Sequence, residues 1–270
     1  ATVAGGLIIG LSRLDRVPVE VRELSRLARN DAPKIAEGCR FDENREVQAL
    51  LPPVCNSRPS QLATFVLWGD SHALAWQPFA WQLADVAGAS AAPMTLNSCP
   101  PGTGHADAGQ IGNCEQFNRL VMQWLSRHPL DTVVVAQRWP RALSQRSAAP
   151  AHLAQRIDAL GRALEQLGQV RRILVLGPLP TMRRAAPDCI ALGWERQCSS
   201  PLRLHRQRVA PVWQQLEALA LRFPNVVLID PTEYFCDESH CAPDRHGFGL
   251  YRDDNHITAS ASRGFAEAYL

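Results

Sequence analysis

The sequence predicts an α/β domain in which a mainly parallel five-stranded sheet lies between two layers of helices. Three observations lead there. Five short apolar runs are separated by stretches with helical spacing. The runs are continuously apolar, as in strands covered on both faces. Strands that alternate with helices pair in parallel through crossovers and build a three-layer α/β/α architecture.

The elements follow in order. Thr64 to Trp68 (TFVLW) is a buried strand that stops at Gly69. Trp76, Phe79, Ala80, Leu83 and Val86 then recur at helical spacing. Ala91 to Leu96 is a weaker second strand. Phe117, Leu120, Val121, Trp124 and Leu125 mark an amphipathic helix. Thr132 to Ala136 (TVVVA) is β-branched and forms a third strand. Leu153, Ile157, Leu160, Leu164 and Leu167 alternate steps of four and three and predict a helix. Arg172 to Leu176 (RILVL) is a fourth strand, ended by Gly177 and Pro178. Val209, Val212, Leu216, Leu219 and Phe223 trace another helix, and Asn225 to Ile229 a fifth strand. Ala259 to Leu270 closes the chain as a helix.

Residues 1 to 60 read differently. They hold charged helical text from Glu20 to Arg29, then Cys39, then the turn-rich LPPVCNSRPS, and read as an extension or linker packed against the main domain at 61–270. Ala1 to Leu11 is apolar but shorter than the roughly 20 residues that cross a bilayer. It is either a remnant of a membrane helix or a buried segment.

Composition sets bounds on partners. The 270 residues are 46% apolar and 20% charged, with a net charge of +2, so a sizeable core forms and nothing asks for nucleic acid. The basic stretch from Arg203 to Arg208 reads as a solvated helix face. Eight cysteines fall in four sequence-local couples, which points to disulfides and an oxidising compartment. Eight cysteines permit about 105 pairings. The expectation is nearest-neighbour bonding: Cys39–Cys55, Cys99–Cys114, Cys189–Cys198 and Cys236–Cys241. Cys236, His240, Cys241 and His246 together offer a zinc alternative, but His240 and Cys241 are adjacent, which is awkward for a tetrahedral site. No metal is therefore expected. His105, His128, His152 and His205 are scattered and expected on the surface.

The chemistry gathers at two places. Ligands in such folds sit at the carboxyl ends of the strands, and the first strand ends in Gly69-Asp70-Ser71-His72. That places Ser71 on a strand-to-helix turn, beside backbone N–H groups that can receive an oxyanion. Asp70 or Ser71 as a simple helix N-cap is the competing reading. A serine nucleophile needs a base. Near the chain end, Asp253 and His256 stand three apart, so a carboxylate can fix the imidazole tautomer and leave Nε2 for Ser71. A polar turn before a helix capped by Thr258 is the alternative there. His72 follows the candidate nucleophile and lines the site without replacing His256.

The GDSH and DxxH motifs, the CPP at Cys99 to Pro101, the strand VVVAQRW and the segment LYRDDNHIT at Leu250 to Thr258 resemble the SGNH (GDSL-type) hydrolase superfamily. The chain is similar to the periplasmic SGNH domain fused behind the membrane acyltransferase-3 domain of bacterial polysaccharide O-acetyltransferases. The likeness covers about residues 60 to 270. It implies a flavodoxin-like SGNH fold, with Ser71 as nucleophile, Asp253 and His256 as its partners, and an acyl-serine intermediate. It implies acetyl transfer to an envelope glycan such as lipopolysaccharide O-antigen. It also implies a periplasmic location, as the C-terminal part of an inner-membrane protein. No cofactor is expected in the domain itself. The acetyl group would come from cytoplasmic acetyl-CoA through an upstream membrane domain of the same polypeptide.

Departures from the pattern bear on the oxyanion site. The superfamily's usual Asn of a GxND motif is missing, and Gln137-Arg138-Trp139 stands at that strand end. The usual second-block Gly has no secure counterpart among Asn97, Ser98 and Gly102. Ser98 and Arg138 are the candidates for oxyanion or substrate contacts, and Trp139 for stacking on a sugar. A surface ion pair for Arg138 and a core position for Trp139 compete with those roles. Two other functions remain open: a carbohydrate acetylesterase, and a non-catalytic glycan-binding module.

Overall fold

The computed structural model describes residues 18–36, 38–41, 53–104, 113–139, 149–245 and 247–270. Ala1 to Leu11, His105 and His246 lie outside them.

The central sheet holds β1 (Ala63–Gly69), β2 (Ser90–Thr95), β3 (Thr132–Ala136), β4 (Arg172–Leu176) and β5 (Val226–Ile229). Their order is β2-β1-β3-β4-β5, and every pairing is parallel. Side chains of successive strand residues point to opposite faces, and the core divides accordingly. Val66, Trp68, Val133, Val135, Ile173 and Val175 enter one apolar cluster. Leu67, Val134, Leu174 and Leu176 enter the other. On the first face pack helices Cys114–Leu125, Ala149–Glu165 and Leu202–Ala220, through residues such as Phe117, Leu160 and Leu216. On the second pack helices Gln77–Val86 and Ala259–Tyr269, through Trp76, Phe79 and Phe265. The sheet is therefore covered on both sides, as its continuous apolar strands require.

The helix expected from Trp76 begins earlier and is broken. Ser71–Ala75 forms one short helix, and Gln77–Val86 a second, with Trp76 ending the first and starting the second. Pro78 lacks an N–H and falls in the first turn of the second helix, where none is needed.

The described part of the extension packs on the main domain. Helix Val19–Asn30 buries Ser25 and Ala28, and a Cβ at Gly249 would come within 2.4 Å of Ala28 Cβ. Ser25 Oγ donates to the Pro187 carbonyl at 2.6 Å. Asp31, just past the helix, accepts Ala259 N–H on its carbonyl and Ser260 N–H on its carboxylate, both at 2.9 Å. It thus caps the closing helix from outside, beside the Thr258 hydroxyl that accepts Ala261 N–H. No helix among the described residues is long and apolar enough to cross a membrane.

The four cysteine couples all bond to their nearest neighbours. The Cys236–Cys241 bond takes up both thiolates of the zinc alternative. The surface reading of the histidines needs correction. His205 is buried at 4% exposure, with its Nε2 3.2 Å from Thr232 Oγ1. His128 is half-buried and stacks on Trp124 with centroids 3.9 Å apart.

Candidate active site

Parallel register brings three strand ends level. Gly69 pairs with Thr95 of β2 and with Ala136 of β3. The turns that follow, carrying Asp70–His72, Leu96–Ser98 and Gln137–Trp139, therefore open side by side on one rim. Leu96 N–H donates to the Gly69 carbonyl and continues the contact one residue past the strand.

The first turn is tight. Gly69 has φ +152°, and a Cβ there would lie 1.8 Å from the Ala136 carbonyl oxygen. No other residue fits. Asp70 is the N-cap of the helix Ser71–Ala75, and its carboxylate accepts His72 N–H at 2.8 Å. The other oxygen accepts Arg138 N–H at 2.9 Å, so one buried side chain ties the β1 corner to the β3 end. Burial pushes the Asp70 carboxyl up, against the pull of the Arg138 and His72 amides. Asp70 therefore caps the helix, which leaves the Ser71 hydroxyl to other partners.

That hydroxyl meets the far end of the chain. Ser71 Oγ lies 2.8 Å from His256 Nε2, across 185 residues of sequence. His256 Nδ1 lies 2.7 Å from Asp253 Oδ2. A carboxylate only accepts, so Nδ1 carries the proton and Nε2 accepts from Ser71. Asp253 Oδ1 accepts the backbone N–H groups of Asn255 and His256 at 2.8 and 2.7 Å. Partial burial pushes the Asp253 carboxyl up. The His256 ring, with the two amides, outweighs this and holds the carboxyl well below the usual range. The Asp253 side chain is 42% exposed and that of His256 21%, so solvent or a substrate reaches the pair.

The loop itself is anchored. Tyr251 bridges Ile257, and Arg252 N–H donates to the His256 carbonyl at 2.8 Å. From the segment after β4, Met182 N–H and Ala186 N–H donate to the carbonyls of Asp254 and Asp253. His72 is buried beside this loop. Its Nε2 lies 3.0 Å from Asn255 Oδ1, and its ring centroid 4.6 Å from that of His256. Burial, followed by the nearby His256 and Arg138 charges, lowers the His72 pKa to about 3.

The three remaining candidates part company. Ser98 follows β2 on the rim, half-buried, with φ +57°. Its loop is held by the Cys99–Cys114 bond and by Asn118, which donates to the Pro100 carbonyl at 2.9 Å and accepts Trp68 Nε1–H. Arg138 is half-buried on the same rim, with its backbone on Asp70. Its Nε is buried without a partner among the described residues. Trp139 corrects the expectation of a sugar platform. It is fully buried, and its Nε1–H donates to the Leu176 carbonyl at 2.7 Å, which closes the core beneath the rim. Sequence reasoning missed Asn255 and the double role of Asp70. Only the position of Asp70, next to a serine at a strand end, hinted at the second.

No curated protein matches the sequence. Among solved structures, the fold is similar to the periplasmic domain of a lipopolysaccharide acetyltransferase from Salmonella ser. Paratyphi A. The TM-score is 0.56 at 17% identity, over 77% of this chain and 82% of that one, a likeness of fold. The family model described as "SGNH domain (fused to AT3 domains)" matches residues 37–270. The chain therefore belongs to the family of SGNH domains fused to AT3 domains.

Proposed function

We propose that this domain transfers an acetyl group to a hydroxyl of a bacterial envelope glycan through an acyl-serine on Ser71. The observation that supports the reading most is the hydrogen-bonded run from Ser71 Oγ through His256 to the Asp253 carboxylate, set on the rim at the end of β1. Ser71 Oγ attacks the carbonyl of an acetyl donor while His256 Nε2 takes its proton. The oxyanion forms beside the backbone N–H of Ser71 at the start of the helix Ser71–Ala75, the His72 N–H being held by Asp70, with Ser98 and Arg138 as further candidates. His256 returns the proton to the leaving group, and the acetyl group stays on Ser71. A sugar hydroxyl then gives its proton to His256 and attacks the acyl carbon. Collapse of that intermediate releases the acetylated glycan and restores the Ser71 hydroxyl. Asp253 holds the imidazole in place and stabilises its cationic form.

Family membership supports a membrane acyltransferase domain in the same polypeptide as the route of the acetyl donor. Cytoplasmic acetyl-CoA is the proposed source. The four disulfides fit a periplasmic setting. Water in place of the sugar gives acetylesterase activity from the same residues. The test is hydrolysis of a small chromogenic acetyl ester, with and without an oligosaccharide acceptor. Wild type should turn over the ester and divert acetyl groups to the sugar, while Ser71→Ala falls to background. Equal rates for the two proteins contradict the scheme. Turnover with no diversion leaves the esterase.

A further inference from the structure

Ser71, Asp253 and His256 do not explain why a histidine stands buried between them. His72 is 3% exposed, one residue from Ser71, in the first turn of a helix. Its backbone N–H is fixed on Asp70. Its ring reaches across to the loop that carries the other two residues and meets Asn255 Oδ1 at 3.0 Å. The orientation of that amide follows from its other contact. Asn255 Nδ2 lies 2.6 Å from Asp254 Oδ1, where only a donor fits against an acceptor. The oxygen of Asn255 therefore faces His72, and His72 Nε2 carries the proton and donates.

The bonds close a ring. Ser71 Oγ bonds His256 Nε2, His256 Nδ1 bonds Asp253, and Asp253 accepts the N–H of Asn255. Asn255 accepts from His72, which is joined to Ser71 by a peptide bond. The side chains of Ser71, His256, Asp253 and Asn255 are each held by a hydrogen bond to the next member. The His72 ring also packs against His256 at a tilt of 39°, which restricts rotation of the imidazole. Burial keeps His72 neutral, so it sets no positive charge against the imidazolium that forms during transfer.

We propose that His72 is a positioning residue for acyl transfer, locking the corner that carries Ser71 to the loop that carries Asp253 and His256 through a hydrogen bond to Asn255. The proposal rests on the reading that Ser71 and His256 carry the transfer. A displacement of about 1 Å in such a pair costs on the order of a hundredfold in rate.

The test compares wild type with His72→Leu, His72→Gln and Asn255→Leu. Leucine keeps bulk and loses the donor; glutamine restores an N–H at similar reach. Three readouts are taken: kcat and KM on the chromogenic acetyl ester, the downfield NMR resonance of the His256 Nδ1 proton, and the thermal midpoint. His72→Leu should lower kcat about tenfold to a hundredfold with KM little changed. It should also broaden or lose the downfield proton, and His72→Gln should restore most of both. Asn255→Leu should reproduce the defect, and it carries the test if His72→Leu does not fold. Wild-type kcat and an unchanged resonance in His72→Leu overturn the proposal. So does a loss that His72→Gln leaves unrepaired. Full activity in Ser71→Ala instead sinks the underlying reading, while the resonance still reports whether His72 holds the loop.

Discussion

Asp70 shows how one residue can release another for chemistry. A serine at the start of a helix is commonly spent as its cap. Here Asp70 takes that post one position earlier, and its second oxygen holds Arg138, so the Ser71 hydroxyl points to His256 instead. Asp253 divides its two oxygens in the same way, one for the imidazole and one for two backbone amides. This division sets a prediction. Asp253→Asn keeps an acceptor for the amides but offers His256 an N–H or the wrong tautomer. It should leave the fold intact by circular dichroism and lower kcat on an acetyl ester by at least about a hundredfold. Ser71, Asp253 and His256 were legible in the sequence because their signals are local: a serine after a strand, and an acid three residues before a histidine. The bond between His72 and Asn255 was not: His72 was read only as a neighbour of Ser71 lining the site, and no local signal marks Asn255 as its partner. Trp139 misled through its type, since an indole suits a sugar face and a core equally well.

At the scale of elements, apolar runs located all five strands to within a residue or so, because strands covered on both faces leave no other pattern. Helix boundaries were less legible. The break at Trp76 depends on Pro78 opening a new helix, a point the apolar spacing passes over. His205 stands four residues before Val209 and shares its face. The helical period already placed it inward, and only the residue type argued for the surface. The end of β1 is the most demanding element. Gly69→Ala places a methyl group inside the radius of the Ala136 carbonyl, in a backbone conformation that resists side chains. It should cost about 3 kcal/mol or more in chemical denaturation and remove ester turnover with it.

Across the whole molecule, register and disulfides turn distant segments into one rim. The sheet aligns the ends of β1, β2 and β3, and the closing loop is pinned to the segment after β4. Helix Val19–Asn30 supports the closing helix through Asp31, so the extension takes part in fixing the loop that carries His256. Stability should depend on pH in a defined direction. Burial holds His72 at about 3 and His205 at about 4, against 6.5 for a free imidazole. The unfolded chain takes up those protons first, so stability is whole above pH 6.5 and falls as the pH drops toward 4. Asp253, held below the usual carboxyl range, extends the loss further into acid. The thermal midpoint should therefore decline between neutral pH and 4, and His205→Gln should flatten that slope. A slope unchanged by His205→Gln removes His205 from this account. Transfer through Ser71 requires that this serine carry the acyl group. Rapid acid quench during turnover of an acetyl ester, followed by peptide mass mapping, shows where the acyl group rests. One acetyl group should appear on the peptide that holds Ser71 and be absent from Ser71→Ala. Ester turnover with that peptide unmodified, or with the acetyl group on another residue, rules out an acyl-Ser71 intermediate.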